Sequence, residues 1–407
     1  MPLTIERLSL HADGVAHTPE GTVHVAMALP GEVVDGEVVD GRIAQPRIVT
    51  PSADRVKAPC PHYRSCGGCV MQHASQPFTA TWKAEVVRNA LSARGIEAPE
   101  ITVHSSPLHS RRRATFSGRR TKKGTLVGFH ARASDTVIEV PNCLILRPEI
   151  LAFTTALHEA TAIGSSRKGE ISFAVTVSET GLDIAATGGK DPVPAVFQEL
   201  AALARRHDLA RLTWNGEPIA ARRPPTQRFG TAKVAPPAGA FLQATAEGEA
   251  ALVAFVQNAT QGANRVADLF AGSGTFSLPL AEGAEVHAVE GEAAMLAALD
   301  QGWRQAKGLK RVTTETRDLF RRPLLPDELK AYDAIVIDPP RAGAEAQVQE
   351  IAQSQCHDLV YISCNPVTFA RDAAHLTAAG FTLEALEVVD QFRYSTHVEL
   401  ASRFRRN

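Results

Sequence analysis

Short alternations of apolar and polar residues fill the start of the chain, over positions 3–8, 23–28 and 37–39, and the turn pairs Asp13-Gly14 and Pro30-Gly31 cut them apart. A period of two broken every few residues by glycine or proline predicts a small, OB-like antiparallel β-barrel over residues 1–55. Residues 77–94 switch to a helical period: Trp82, Val86, Val87, Ala90 and Leu91 share one face, and Gly95 stands where a helix ends. The stretch 231–239, rich in proline and glycine, marks a boundary. From about residue 240 apolar runs alternate with helical segments, with strands expected over 265–270, 284–290, 332–338 and into Cys364. That order predicts a doubly wound, Rossmann-like sheet, closed by a hairpin of 383–389 and 398–404. The fold class is therefore multidomain α/β: a barrel over 1–55, a central α+β unit over 56–235 and a catalytic unit over 236–407.

Length supports that division, because 407 residues exceed one ordinary core. Charge is balanced, with 43 Lys+Arg against 44 Asp+Glu, so any case for a polyanionic partner rests on local clustering. Such a cluster exists. Residues 101–134 hold no acid, yet they carry Arg111, Arg112, Arg113, Arg119, Arg120, Lys122, Lys123 and Arg132, with Phe116 and Phe129 interleaved. Cations mixed with aromatic rings suit a phosphate backbone and stacked bases. A second basic stretch contains Arg222, Arg223 and Arg228. No apolar run approaches membrane-spanning length, and Met-Pro-Leu-Thr-Ile-Glu lacks the basic-then-apolar order of a signal peptide. A cytoplasmic location without membrane contact is expected.

Six cysteines in such a chain point to metal or catalytic use, not to disulfides. Cys60, Cys66 and Cys69 lie in a Gly- and Pro-rich loop, and a fourth thiol, Cys143, follows far downstream. Four thiolates suit zinc or an iron–sulfur cluster. Zinc more often shows two Cys-x-x-Cys knuckles, so this spacing favours 4Fe-4S. It also differs from the Cys-x3-Cys-x2-Cys of radical enzymes, which leave one iron unligated.

In the last unit, Asp268-Leu-Phe270-Ala-Gly272-Ser-Gly274 joins a strand to a helix, and Glu290 ends the next strand. Gly272 and Gly274 let backbone approach a ligand, and Glu290 is placed to accept ribose hydroxyls. The absence of a third dinucleotide glycine points to S-adenosylmethionine over NAD. Asp338 and Cys364 end two further strands at the same sheet edge, which makes the cysteine a candidate nucleophile. Glu399 stands at the mouth of the closing hairpin, where the pattern alone reads as an exposed edge carboxylate.

Together these motifs resemble the RNA uracil-5-methyltransferase family, over nearly the whole chain, and most closely the subgroup acting on ribosomal RNA. The resemblance implies that the barrel is a TRAM module and that Cys60, Cys66, Cys69 and Cys143 ligate the 4Fe-4S cluster. Ser363-Cys364-Asn365-Pro366 matches the nucleophile motif and His397-Val398-Glu399 the general-base motif. Gln243, Phe270, Glu290, Asp318 and Asp338 fall on positions that bind S-adenosylmethionine or the target base. Thr275 departs from the asparagine usual after the second glycine. The implied activity is C5-methylation of a uridine in RNA, 23S ribosomal RNA first, by a monomer that uses neither DNA nor a membrane. The alternatives are a tRNA-directed enzyme, a cytosine-5-methyltransferase and a non-enzymatic iron–sulfur RNA-binding protein.

Overall fold

The computed structural model describes residues 2–406. The N-terminal alternation folds into two small sheets. One contains Leu3–Thr4, Val33–Asp35 and Arg47–Thr50; the other contains Arg7–Leu8, Gly14–Thr18, Gly21–Val25 and Arg42–Ile43. Their inward residues, among them Ile5, Val25, Val34 and Ile43, close over one core.

A seven-stranded sheet follows, in the order Val137–Ile138, Gly124–His130, Arg113–Thr121, Glu170–Ser178, Gly181–Thr187, Arg211–Trp214 and Glu217–Ala221. In Glu170–Ser178 every second residue is buried, as expected where one face meets a core. Helices Thr154–Gly164 and Pro194–Arg206 supply Leu157, Ala160, Leu200 and Leu203 to that core.

The third sheet has eight strands: Val312–Thr316, Glu285–Glu290, Arg265–Leu269, Ala334–Ile337, Asp358–Ser363, Leu400–Arg405, Thr382–Asp390 and Ile101–Ser105. Its strands run parallel except Leu400–Arg405, which is antiparallel to both neighbours. Ala334–Ile337 is buried throughout, because helices cover both faces. The strand order reverses beside Arg265–Leu269, so the carboxyl ends of that strand and Ala334–Ile337 flank the crevice where such sheets bind ligands.

Chain from the expected central unit also enters this last body. Ile101–Ser105 forms its edge strand, helix Gln76–Ser92 buries Val87 and Leu91 against one face, and the ribbon Gln227–Phe229 with Ala232–Val234 buries Phe229 and Val234 against the other. A boundary drawn at 235/236 therefore falls after elements that pack with the C-terminal sheet. Hydrophobic contact between distant segments caused this, and local pattern carries no record of it. No helix among the described residues is long and apolar enough to cross a membrane.

Candidate active site and cysteine cavity

The crevice is built from strand ends. Asp268 is fully buried one residue before the end of its strand, its Oδ2 accepting the Ser277 hydroxyl, while Oδ1 has no partner among the described residues. Burial pushes its carboxyl up to about 7. The chain then turns sharply: Phe270 has φ 62, Gly272 φ 56 and Gly274 φ 98. A β-carbon on Gly274 would stand 2.8 Å from Leu299 Cγ, so turn conformation and packing both require glycine there. Glu290 closes the turn by accepting the N–H groups of Gly272 and Glu292, each at 3.0 Å. Phe270 faces Phe320 with ring centroids 5.4 Å apart, and Asp318 Oδ1 accepts the Phe320 N–H. The buried Ser273 hydroxyl, in the same turn, has no partner among the described residues. The structure thus groups Phe270, Gly272, Gly274, Glu290 and Asp318 around one crevice.

Cys364 follows strand Asp358–Ser363 and precedes helix Pro366–Ala378, whose N-cap is Asn365. The Asn365 side chain accepts Val367 N–H and donates to Arg341 O at 2.9 Å, and Thr368 Oγ1 donates to the same carbonyl. These bonds tie the thiol's loop to the loop after Asp338. The antiparallel register pairs Ser363 with Leu400, so Cys364 and Glu399 are the next opposed positions. Glu399 is therefore no exposed edge carboxylate. It is buried, because its strand lies between two others and Ile101–Ser105 takes the edge. Burial and the neighbouring Asp338 raise its pKa well above the usual carboxylate range. Asp338 rises to about 7 through burial, with Asp268 and Glu290 adding repulsion. Burial, Glu399 and Asp338 push the Cys364 thiol up to about 11, opposed by Arg341.

Gln243 joins the group through an amide chain: its Nε2 donates to Asp338 Oδ2 at 3.5 Å, and Gln391 Nε2 donates to Gln243 Oε1 at 2.7 Å. Gln391 was not among the residues expected from sequence, since it reads only as part of the hairpin connection. Lys83 was also missed, although it shares a helical face with Val87 and Leu91, all three fully buried. That spacing is the signal that could have found it.

Cys60, Cys66, Cys69 and Cys143 line one cavity with His62, Tyr63 and Phe129, although they come from two distant stretches of chain. Among the described residues no three potential ligands are set as the ligands of a single metal ion would be. All four are free thiols, soft groups of the kind an iron–sulfur cluster would take.

Of the expected phosphate contacts at Arg111, Arg112 and Arg113, the one at Arg112 is closed off, while Arg111 and Arg113 are half-buried and in no ion pair among the described residues. Arg112 is buried in an ion pair with Glu249 and donates to Gln243 O at 3.1 Å. Arg111 lies over the Phe392 ring at 4.8 Å, and Arg113 over Phe241 at 5.7 Å. These three hold the central sheet to the catalytic unit. Arg222 and Arg223 pair with Asp208, and Arg228 with Glu179. By contrast Arg120, Lys122 and Lys123 are exposed around a hairpin tip, in no ion pair among the described residues.

Comparison with known proteins adds three findings. The family model described as tRNA (Uracil-5-)-methyltransferase matches residues 303–406. An uncharacterised RNA methyltransferase of Brucella suis is 44% identical over 397 residues, 98% of this chain and 96% of the relative; the 23S rRNA (uracil(1939)-C(5))-methyltransferase RlmD of Chromohalobacter salexigens is 33% identical, over 98% and 87%. The crystal structure of Pyrococcus abyssi tRNA (uracil-54, C5)-methyltransferase in complex with S-adenosyl-L-homocysteine superposes with TM-score 0.76 over 99% of both chains at 20% identity, a likeness of fold.

Proposed function

Because the chain belongs to the RNA uracil-5-methyltransferase family and is an S-adenosylmethionine-dependent enzyme of that class, we propose that it methylates carbon 5 of one uridine in 23S ribosomal RNA, with Cys364 as nucleophile and Glu399 as base. The observation that carries this reading is the opposition of Cys364 and Glu399 across one strand pair, with Asp338 alongside. The ribosomal target is supported by the 23S-directed relative.

Carbon 5 of uracil is a weak nucleophile until a thiolate adds at carbon 6 and makes the ring an enolate. Cys364 lies directly before the N-terminus of a 13-residue helix, which favours a developing thiolate. S-adenosylmethionine, when bound, supplies the methyl group as an electrophile. Gly272 and Gly274 would admit its backbone-facing side, Glu290 its ribose, and Phe270 and Asp318 its base. The unpartnered Asp268 Oδ1 and Ser273 Oγ fit a polar ligand in that turn. After methylation carbon 5 holds both a methyl group and a hydrogen. Glu399 takes that hydrogen as a proton, the ring electrons expel the Cys364 sulfur, and product leaves. A buried carboxylate of raised proton affinity is, once ionised, a strong base for this step. Gln243, Gln391 and Asp338 form the polar wall against which the target base is held, and such a base must leave its stack to reach them.

The four-cysteine cavity is assigned to a 4Fe-4S cluster held by Cys60, Cys66, Cys69 and Cys143, which would stiffen the loop between the central and catalytic units. The N-terminal sheets are assigned to RNA binding as a TRAM-like module.

The test uses labelled S-adenosylmethionine and RNA from a strain lacking the enzyme. Cys364→Ala is expected to lose methyl transfer but still bind S-adenosylmethionine; retained turnover would overturn the nucleophile. Glu399→Gln, which cannot accept the proton, is expected to accumulate a labelled protein–RNA adduct stable to denaturation. Normal multiple turnover of that variant would move the base elsewhere, with Asp338 next. Mapping the methylated nucleotide separates ribosomal RNA from tRNA.

A further inference from the structure

Residues 391–399 connect strand Thr382–Asp390 to strand Leu400–Arg405 and end in Glu399. Their neck is closed by one side chain from elsewhere in the fold. Lys83, on helix Gln76–Ser92, is fully buried, and its Nζ donates to Asp390 Oδ1 at 2.6 Å, to His397 O at 2.8 Å and to Phe392 O at 3.2 Å. An ammonium has three hydrogens, and each has an acceptor. Two of these are carbonyls from opposite ends of the same loop. Asp390 Oδ1 also accepts the Phe392 N–H, while Asp390 Oδ2 has no partner among the described residues.

We propose that Lys83 is a positioning residue for proton removal: it clips the loop so that the Glu399 carboxylate faces carbon 5 of the base held on Cys364. This rests on the reading of Glu399 as the base. An apolar side chain would fill the space around Lys83 without taking a charge out of water, and such replacements at buried ion pairs are often neutral or stabilising. What the ammonium adds is a fixed link between the loop's departure and its return. Glu399 lies two residues past the clipped His397, and its carbonyl accepts the Val389 N–H at 2.8 Å. The backbone of Glu399 is therefore fixed from the neighbouring strand, while the approach of the chain that precedes it is fixed by Lys83. The outer part of the loop has separate anchors, since Tyr394 O accepts the N–H groups of Val70 and Met71. Loss of Lys83 thus loosens the Glu399 end and leaves the rest attached.

Lys83→Met alone strands the Asp390 carboxylate, so the decisive variant is Lys83→Met with Asp390→Asn, which removes both charges and keeps an acceptor for the Phe392 N–H. In the full-length protein three quantities are measured: affinity for S-adenosylmethionine, the rate at which labelled methyl enters the covalent adduct, and the rate at which free methylated RNA appears. The double variant is expected to keep the first two near wild type and to slow release by roughly 10²-fold, the scale for a displaced catalytic group, with adduct accumulating. Release at the wild-type rate overturns the proposal. So does slowing of methyl entry and release by one common factor, which is what general loosening of the fold would give. Glu399→Gln is run in parallel. If it stalls as adduct while the double variant releases normally, Lys83 alone is excluded; if it turns over normally, the base assignment falls and the clip falls with it.

Discussion

The thiol at the centre of this site is poor in its resting state and has to be made reactive within it. Burial, Glu399 and Asp338 push the Cys364 thiol up to about 11, so the protonated form dominates at neutral pH. Under the assignment of Cys364 as nucleophile, the rate of covalent trapping on RNA containing 5-fluorouracil is expected to rise with pH, by nearly tenfold per unit between about pH 7 and 9. A flat profile would mean that substrate binding hands the proton to Asp338 or Glu399 within the complex. The types and positions of Cys364, Glu290, Gly272 and Gly274 were legible in the sequence, since each answers a local demand of turn, strand end or reactivity. The burial of Glu399 was not legible, because it depends on which strands lie beside its own.

At the scale of elements, loops carry the chemistry and strands or helices fix them. The cysteine loop is the clearest case: Cys66, Cys69 and Cys143 meet only because Cys143 returns from beyond a hairpin whose Phe129 also lines the cavity. Under the assignment to 4Fe-4S, cluster binding and folding of this loop are coupled. Anaerobically purified protein is therefore expected to be brown and to contain iron, and Cys66→Ser to lose iron and melt at lower temperature. Colourless protein with stoichiometric zinc would overturn the assignment. The Val70 and Met71 N–H groups, directly after Cys69, bind Tyr394 O in the loop that ends at Glu399, which ties the cysteine loop to that connection.

For the whole molecule the question is where RNA lies. The basic stretch 101–134 divides in two: Arg111, Arg112 and Arg113 are cross-links between bodies, whereas Arg120, Lys122 and Lys123 face solvent. Replacing Arg120, Lys122 and Lys123 by alanine is expected to reduce the slope of log RNA affinity against log salt by up to roughly 2 to 3 units, at about 0.7 to 0.9 per phosphate. An unchanged slope would place the RNA elsewhere. The same change at Arg111, Arg112 and Arg113 is expected to lower thermal stability instead, since Glu249 would stay buried without its partner. The sequence by itself determined the C-terminal alternation of strands and helices, the glycine turn, the cysteine at a strand end and the four thiols, because periodicity, turn geometry and side-chain chemistry are local properties. Only the tertiary structure decided that a helix and a strand from residues 76–105 pack with the C-terminal sheet, that Arg112 is buried against Glu249, and that Lys83 closes the loop bearing Glu399. Those outcomes depend on which distant surfaces bury one another, and on the need of each buried charge for a partner that sequence distance does not reveal.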